Sequence, residues 1–314
     1  MGGVISTDWS LNLDCEMISL SIYLTIRMFG FFINLLPERF ALWIGRQLGD
    51  VMHLLDVKHR KIAIQNLHLA FGHEKSEEEM HSIARKNFQN LGMMAIEFFQ
   101  IPKMDMETYD RKVAVEGLDK ALKVLDENRG ALLLLGHFGN WELMALMSKV
   151  INRPILAIAK PIKKNPRLDR WIIGTRNKIG LEIIPPVNAT KKVLQALSLN
   201  QIVAILFDQR GKRSKGVWAD FFGRKVPTTS GLAVMAIKSR APVLPVFMVR
   251  EGFWKHRLII RDPLEIIHTG VFRQDVEANT QLFNRVLESI IRQYPEQWLW
   301  IHRRWERQKR SRRR

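Results

Sequence analysis

Cysteine is almost missing from this chain: Cys15 is the single one among 314 residues. One thiol can form neither an internal disulfide framework nor a cysteine-based metal cluster, which excludes disulfide-stapled secreted scaffolds and zinc-cysteine modules and fits a reducing compartment or a membrane face. No metal site is indicated. The Gly-x-Ser-x-Gly turn that presents a hydrolase nucleophile is lacking too. Acids are scarce beside bases, 31 against 49, so the formal net charge is +18. An anionic partner follows from that imbalance, although its sign does not name the partner. Internal repeats and long linkers are absent, and the one low-complexity piece is the tail RRWERQKRSRRR. A chain of this length without such interruptions reads as one large domain with a full core.

The N-terminus carries the long apolar stretch, Met17 to Leu36, which is about the length needed to cross a bilayer. Its eleven Leu, Ile and Phe residues favour insertion by roughly 3 to 7 kcal/mol, and Arg27 near the centre costs ~2.5 to 3.5. Asp8, Asp14 and Glu16 stand where a cleaved signal would have a basic region, so the segment is expected to stay attached. Arg39 and Arg46 follow it and no Lys or Arg precedes it, which orients the remainder to the cytoplasm. The expected division is a tail over 1–16, a spanning or half-inserted anchor over 17–36, a catalytic-sized domain over 37–305 and a basic tail over 306–314. A buried core helix is the alternative for 17–36.

To about residue 110 the chain reads as helical. Pro37 and Glu38 open one amphipathic segment, and Ser76 caps another through SEEEMHSIARKNFQNLGMMAIEFF. From Val113 the texture changes. Apolar runs VAVEG, ALLLL, ILAIA, LEIIP, IVAILF, VLPVFMV and RLIIR alternate with helical segments LDKALKVLDE, LDRWIIGTRNKI, ATKKVLQALSL and GLAVMAIKS. Buried strands joined by crossover helices predict an α/β fold: a mixed, mainly parallel sheet flanked by helices, with an N-terminal helical membrane-anchor region.

In such sheets ligands gather at the carboxyl ends of the strands. ALLLLG delivers His137 to a turn, where Asn140 can cap a helix whose first turn carries Glu142. A neutral imidazole can take a proton from a hydroxyl near neutral pH, and a neighbouring carboxylate can hold the ring, so His-x-x-x-x-Glu points to acyl transfer to an alcohol. Spacing alone is weak: His73 and Glu78 repeat it in the polar run GHEKSEEE, with no strand before them. A hydrogen-bonded histidine closing a strand is the bland alternative for His137. Two further strand ends converge with it, ILAIA leading to Lys160 and IVAILF ending at Asp208 and Gln209. Asp208 also fits a turn or cap.

Between Lys160 and Lys178 seven Lys or Arg face the single acid Asp169, and Arg210 to Lys225 adds six against Asp220. Beside a base they suit phosphate or carboxylate groups of a substrate; a solvated basic face is the alternative. Ile301 to Arg314 holds eight Lys or Arg and one Glu, a solvated tail suited to anionic lipid first and nucleic acid second.

Taken in order, LGHFGNWE, KPIKKNPRLDRWIIGTRNKIGLEII, FDQ, GVWADFFGRKVPTTSGLAVMAIKSRAPVLPVF and YPEQWLWIHRRWE resemble the bacterial lipid A biosynthesis acyltransferases, the lauroyl and myristoyl transferases, over nearly the whole length. The resemblance implies transfer of a fatty acyl chain from an acyl carrier protein thioester to a hydroxyl of a phosphorylated acylated glycolipid at the cytoplasmic face of the inner membrane. His137 is then the general base and Glu142 its orienting acid. A thioester is already activated, so no cofactor, metal or covalent nucleophile is expected. Backbone amides near Gly139 and Asn140, or a nearby Arg, are candidate oxyanion donors. The family's arginine and later acid best match Arg176 and Asp208, with Arg167 and Arg170 close by; Asp208 is a candidate to hold an arginine. Asn140, Lys160, Arg167, Arg170 and Gln209 are expected to bind substrate, and Phe221 and Phe222 to pack on acyl chains or in ordinary core. Arg210 stands where better-characterised members often carry a second acid. HFGNWE also resembles acyltransferases of mannosylated phosphoinositides, which leaves the acceptor sugar open.

Two other classes compete. A nucleic-acid binder explains the charge, but the basic residues lack an interleaved aromatic platform, and a helix-turn-helix or zinc signature is missing. A catalytically silent membrane scaffold keeps the fold without needing His137 beside Glu142.

Overall fold

A computed structural model describes residues 7–212 and 216–305. The basic tail 306–314, the first six residues, and Arg213 and Lys215 of the second basic cluster lie outside the described residues.

The first third is helical: α1 (Thr7–Ile33), α2 (Glu38–Leu55), α3 (Val57–Phe71), α4 (Glu77–Gln100) and α5 (Met106–Lys112). α1 runs through residue 16 without interruption, and 34–36 form a turn before Pro37. Ser76 and Glu79 form the reciprocal cap of α4 expected from SEEE.

The α/β part follows: β1 (Val113–Glu116), α6 (Leu118–Asp126), β2 (Ala131–Leu135), a 3₁₀ turn at Leu143–Leu146 leading into α7 (Met147–Val150), β3 (Ile155–Ile158), α8 (Pro166–Lys178), β4 (Leu181–Ile184), α9 (Ala189–Ser198) and β5 (Ile202–Leu206). After it come β6 (Val217–Phe221), β7 (Arg224–Thr228), α10 (Gly231–Ser239), β8 (Val243–Arg250), β9 (His256–Ile260) and α11 (Phe272–Gln293). The seven apolar runs are the seven strands of the main sheet, ordered β1-β9-β8-β2-β5-β3-β4. Every neighbouring pair is parallel except β8 with β9. The mixed, mainly parallel α/β sheet expected from the sequence is therefore present.

Side chains alternate across each strand, so β2 sends Leu132 and Leu134 into one core with α3, α4, α10 and α11. It sends Leu133 and Leu135 to the opposite core, with α6 and the Leu143–Leu146 turn. A substrate reaching the strand ends meets this second face, beneath α8.

The β6–β7 hairpin is an addition that the apolar runs did not announce. Phe222 and Gly223 form its turn, both with positive φ (52° and 67°). Gly tolerates that conformation, while Phe222 is held in it by packing on Phe71 and Trp300.

Candidate active site

Register builds the centre of the site. Ala131 lies opposite Ile202 and Leu135 opposite Leu206, so the residues two beyond each strand, His137 and Asp208, emerge side by side. His137 Nδ1 lies 2.8 Å from Asp208 Oδ1, and the His137 backbone N–H donates to Oδ2 at 2.9 Å. The indole of Trp298 donates to the same Oδ2 at 2.8 Å. Three donors thus saturate a carboxylate that is only 3% exposed.

Burial disfavours both charges, but their mutual attraction outweighs it. Desolvation would lower the His137 pKa, yet the Asp208 carboxylate holds it above the ordinary imidazole value. Desolvation likewise opposes the Asp208 anion, and the His137 ring and N–H donors keep its carboxyl below the usual range. With Asp208 ionised, Nδ1 carries the proton and Nε2 offers its lone pair to the cleft; Gln209 Nε2 lies 3.4 Å from it.

The turn after β2 is fixed from behind. Gly139 has φ of 56°, and a Cβ there would sit 1.6 Å from the Met248 carbonyl oxygen, so only glycine fits. The C-terminal segment brackets the same turn: Leu299 N–H donates to the His137 carbonyl and Gly139 N–H to the Gln297 carbonyl. Gly139 N–H is therefore committed, which removes it from the expected oxyanion donors. Asn140 is fully buried, donating to Glu97 at 2.7 Å and accepting from Leu143 N–H at 3.0 Å. It caps the short turn as expected, but it is a scaffold residue rather than a substrate contact. Its partner Glu97 is bound bidentately by buried Arg250.

Glu142 does not orient His137. Arg176 binds it through Nε at 3.0 Å and Nη2 at 2.5 Å, and the imidazole's ring partner is Asp208. The two expected roles are thus exchanged: Asp208 holds the histidine, and Glu142 holds the arginine.

This constellation sits at the mouth of a cavity of about 770 Å³. Its floor is the sheet face carrying Leu133, Leu135, Ala204 and Ala157; its outer wall is α8, which presents Asp169, Ile172, Ile173 and Arg176 at helical spacing. That spacing places Arg176 in the cavity lining, while Arg167 and Arg170 are not among the lining residues. Lys160, Gln209 and Arg210 stand at the rim with His137 and Glu142. Trp141, whose ring meets the His137 imidazole edge-on at 5.2 Å, also lines the mouth.

Phe221 and Phe222 do not reach the cavity. Phe221 packs on Trp298 and Trp305 at 5.6 and 5.4 Å, and both phenylalanines are buried core. The reading of residue 301 onward as solvated tail fails at its start: Arg304 is fully buried, donating to the Pro227 carbonyl, Thr228 and Asn284, and burial pushes its pKa down to about 10. Trp298 was the functional residue missed, although the motif YPEQWLWIHRRWE had marked its segment. Among the described residues no three His, Cys, Asp or Glu side chains converge as a metal-ligand set.

Comparison with known proteins shows the family. The model of a family described as bacterial lipid A biosynthesis acyltransferase matches residues 14–307. The lipid A biosynthesis palmitoleoyltransferase of Escherichia coli is 29% identical over 277 residues, 86% of each chain. The lauroyltransferase of the same organism is 29% identical over 279 residues, 86% of this chain and 87% of the relative. A phosphatidylinositol mannoside acyltransferase of Mycolicibacterium smegmatis is 28% identical over 214 residues, 67% of each chain.

Proposed function

Since the chain belongs to the bacterial lipid A biosynthesis acyltransferases, we propose that it moves a fatty acyl group from an acyl carrier protein thioester to a hydroxyl of a phosphorylated lipid A precursor. The observation that carries this reading is a half-buried His137 on a buried Asp208, opening onto an apolar cavity with cations at its rim. The acyl chain lies over Leu133, Leu135 and the two alanines, where each buried methylene contributes ~0.8 kcal/mol. The thioester carbonyl then stands at the mouth, beside His137 Nε2.

In the reaction the acceptor hydroxyl gives its proton to Nε2 as its oxygen bonds to the carbonyl carbon. The tetrahedral intermediate collapses, the C–S bond breaks, and the imidazolium returns the proton to the departing thiolate. Asp208 stabilises the imidazolium between these steps. Glu142 fixes Arg176 at the mouth, where its guanidinium offsets negative charge developing on the carbonyl oxygen. Lys160, on the exposed rim, meets the acceptor's phosphate. Such an acceptor calls for work at the cytoplasmic face of the inner membrane, with the protein held there by the apolar outer face of α1. Within this site the thioester is a co-substrate and the chain's own residues carry every proton.

A mannosylated phosphoinositide is the second acceptor worth testing, because the Mycolicibacterium relative covers two thirds of the chain. The test incubates detergent-solubilised protein with labelled acyl carrier protein thioester and either a tetraacylated lipid A precursor or a phosphatidylinositol mannoside. Label is expected in the lipid A precursor. His137→Ala should lower transfer by about 10² to 10⁴-fold, while His73→Ala, exposed in the turn before α4, leaves it nearly intact. Equal losses from both variants would remove His137 from its role.

A further inference from the structure

α2 carries apolar residues on two faces, and only one is used inside the protein. Its inner face is small: Gly45 and Gly49 back directly onto the α4 backbone around Phe88 and Gly92. Its outer face is large: Phe40, Trp43, Leu48, Val51, Leu54 and Leu55 are all exposed, Leu54 and Leu55 by 68% and 70%. At 100° per residue these six fall on one half of the helix, with Arg39 and Arg46 along one edge and Lys58 and Arg60 just beyond its end. A wide apolar arc edged by cations has the composition of a helix lying in a lipid interface.

The setting of α1 points the same way. Its contacts with the body run from the Ser19 carbonyl, which accepts from Asn165, through Arg27 over the Trp171 ring and Phe29 against Phe99, to buried Ile33. Those contacts extend over about 21 Å of helix. Only 17% of Glu16–Ile33 is buried, but a helix tied to the body at points spread over that length cannot pass alone through a bilayer with the body in water. Its other side exposes Leu24, Met28 and Phe31. Only four residues, 34–37, join α1 to α2, which keeps the start of α2 within about 18 Å of the end of α1.

We infer that α2 is a second membrane-docking element, lying in the interface of an anionic bilayer beside the outer face of α1, so that the protein is held in one leaflet by two helices laid on their sides. The occupant of the α2 face is lipid: the arc is continuous with α1 through a short turn, and its cationic edge matches anionic headgroups. This rests on the membrane reading made above for α1.

The test uses the full chain with Cys15→Ser, which removes the only native thiol, and single cysteines at Leu24→Cys, Leu54→Cys and the exposed control Glu182→Cys. Each is nitroxide-labelled and reconstituted into phosphatidylethanolamine–phosphatidylglycerol vesicles, and its accessibility to oxygen and to a water-soluble nickel chelate is compared. Oxygen-favoured, shallow positions for Leu24 and Leu54, with Glu182 in water, are expected. Leu54 in water with Leu24 at the bilayer centre overturns the inference and leaves the membrane reading standing; Leu24 and Leu54 both in water overturns the membrane reading itself. Concentration-dependent dipolar broadening at Leu54 would assign the face to a second copy and overturn it as well. In parallel, Val51→Glu with Leu55→Glu should reduce transfer to a vesicle-borne acceptor by about tenfold or more while leaving transfer in detergent micelles unchanged. An unchanged rate on vesicles overturns the docking role, and the micelle rate verifies that the variant is folded.

Discussion

Replacing Asp208 by Asn exchanges one carboxylate oxygen for an NH₂ group, and the surrounding donors decide which one. Oδ2 accepts from both the His137 backbone N–H and the Trp298 indole, at 2.9 and 2.8 Å. Turning the NH₂ toward them would leave two buried donors unsatisfied, at about 1–3 kcal/mol each. The amide oxygen therefore takes the Oδ2 position, and the NH₂ faces His137 Nδ1, where Asp208 Oδ1 had stood at 2.8 Å. Nδ1 must then accept, the ring proton moves to Nε2, and the lone pair that should receive the acceptor's proton is gone. The same exchange in a Ser-His-Asp triad costs about 10⁴ in kcat, and a loss of about 10³ to 10⁴-fold is expected here. The acid limb of the pH profile should move as well. In the native protein kcat/KM should rise with pH through a value above the ordinary imidazole pKa, because Asp208 stabilises the cation; Asp208→Asn removes that stabilisation, so the residual limb should shift to lower pH. The limb reports the coupled pair rather than one residue. The assay is initial-rate acyl transfer from pH 5 to 9, with the circular dichroism melt as a folding control. A variant that keeps its rate to within about tenfold, or keeps its pH limb in place, refutes the assignment of Asp208 as the group that sets the tautomer.

Two other expectations follow from the floor of the cavity and from the buried histidines. Ala204 and Ala157 lie opposite each other on β5 and β3 in the cavity floor. Ala204→Leu should fill that groove and shift preference toward shorter acyl thioesters, with a loss of roughly fourfold in kcat/KM for each methylene displaced (~0.8 kcal/mol); competition among donors of graded length measures it, and an unmoved preference places the chain elsewhere. His256 is buried, and desolvation pushes its pKa down to about 4. Its folded value is depressed below the unfolded ~6.5, so the unfolded state binds more protons and stability falls as pH drops through that window, by about 2 kcal/mol between pH 6.5 and 5. His53 and His302 are also depressed by burial and act in the same direction, whereas the raised His137 contributes oppositely, its stabilisation present at acid pH and lost as pH rises through its folded value. Thermal midpoints of wild type and His256→Gln between pH 5 and 7 test this; an equally steep fall in both assigns the acid sensitivity to other groups.

The main sheet was legible because its strands are buried on both faces and so appear as uninterrupted apolar runs. What escaped notice did so for local reasons. A two-residue hairpin turn with both residues at positive φ normally announces itself as Asn-Gly or Asp-Gly, but here Phe222 occupies the first position. α11 buries Asp275, Asn279, Thr280 and Asn284 beside Val276 and Phe283 in the first half of its inner stripe, so there its helical period is carried largely by polar residues. Each is satisfied: Asp275 accepts from Thr269, Asn279 bonds the Ile267 backbone, Thr280 donates to the Val276 carbonyl and Asn284 to the Asp220 carbonyl. A reading that counts apolar residues passes over such a stripe.

The site failed to be fully legible for a different reason, which is the geometry of a parallel sheet. Partners along one strand end are neighbours in sequence, so Glu142, five residues after His137, looked like its acid. Partners across parallel strands are joined by a crossover, and their separation is a constant of the register. Ala131 faces Ile202 and Leu135 faces Leu206, each 71 residues apart, and His137 and Asp208 share that separation. The signal was present in the two runs ALLLLGH and IVAILFD, which place a titratable residue at the same offset from their first residue. Aligning apolar runs by their first residue, rather than counting along the chain from the histidine, selects Asp208 over Glu142. The same alignment extended to β3, where Ile155 faces Ile202, brings Pro161 level with Asp208 and leaves Lys160 one step short, on the rim with His137 rather than beside the acid.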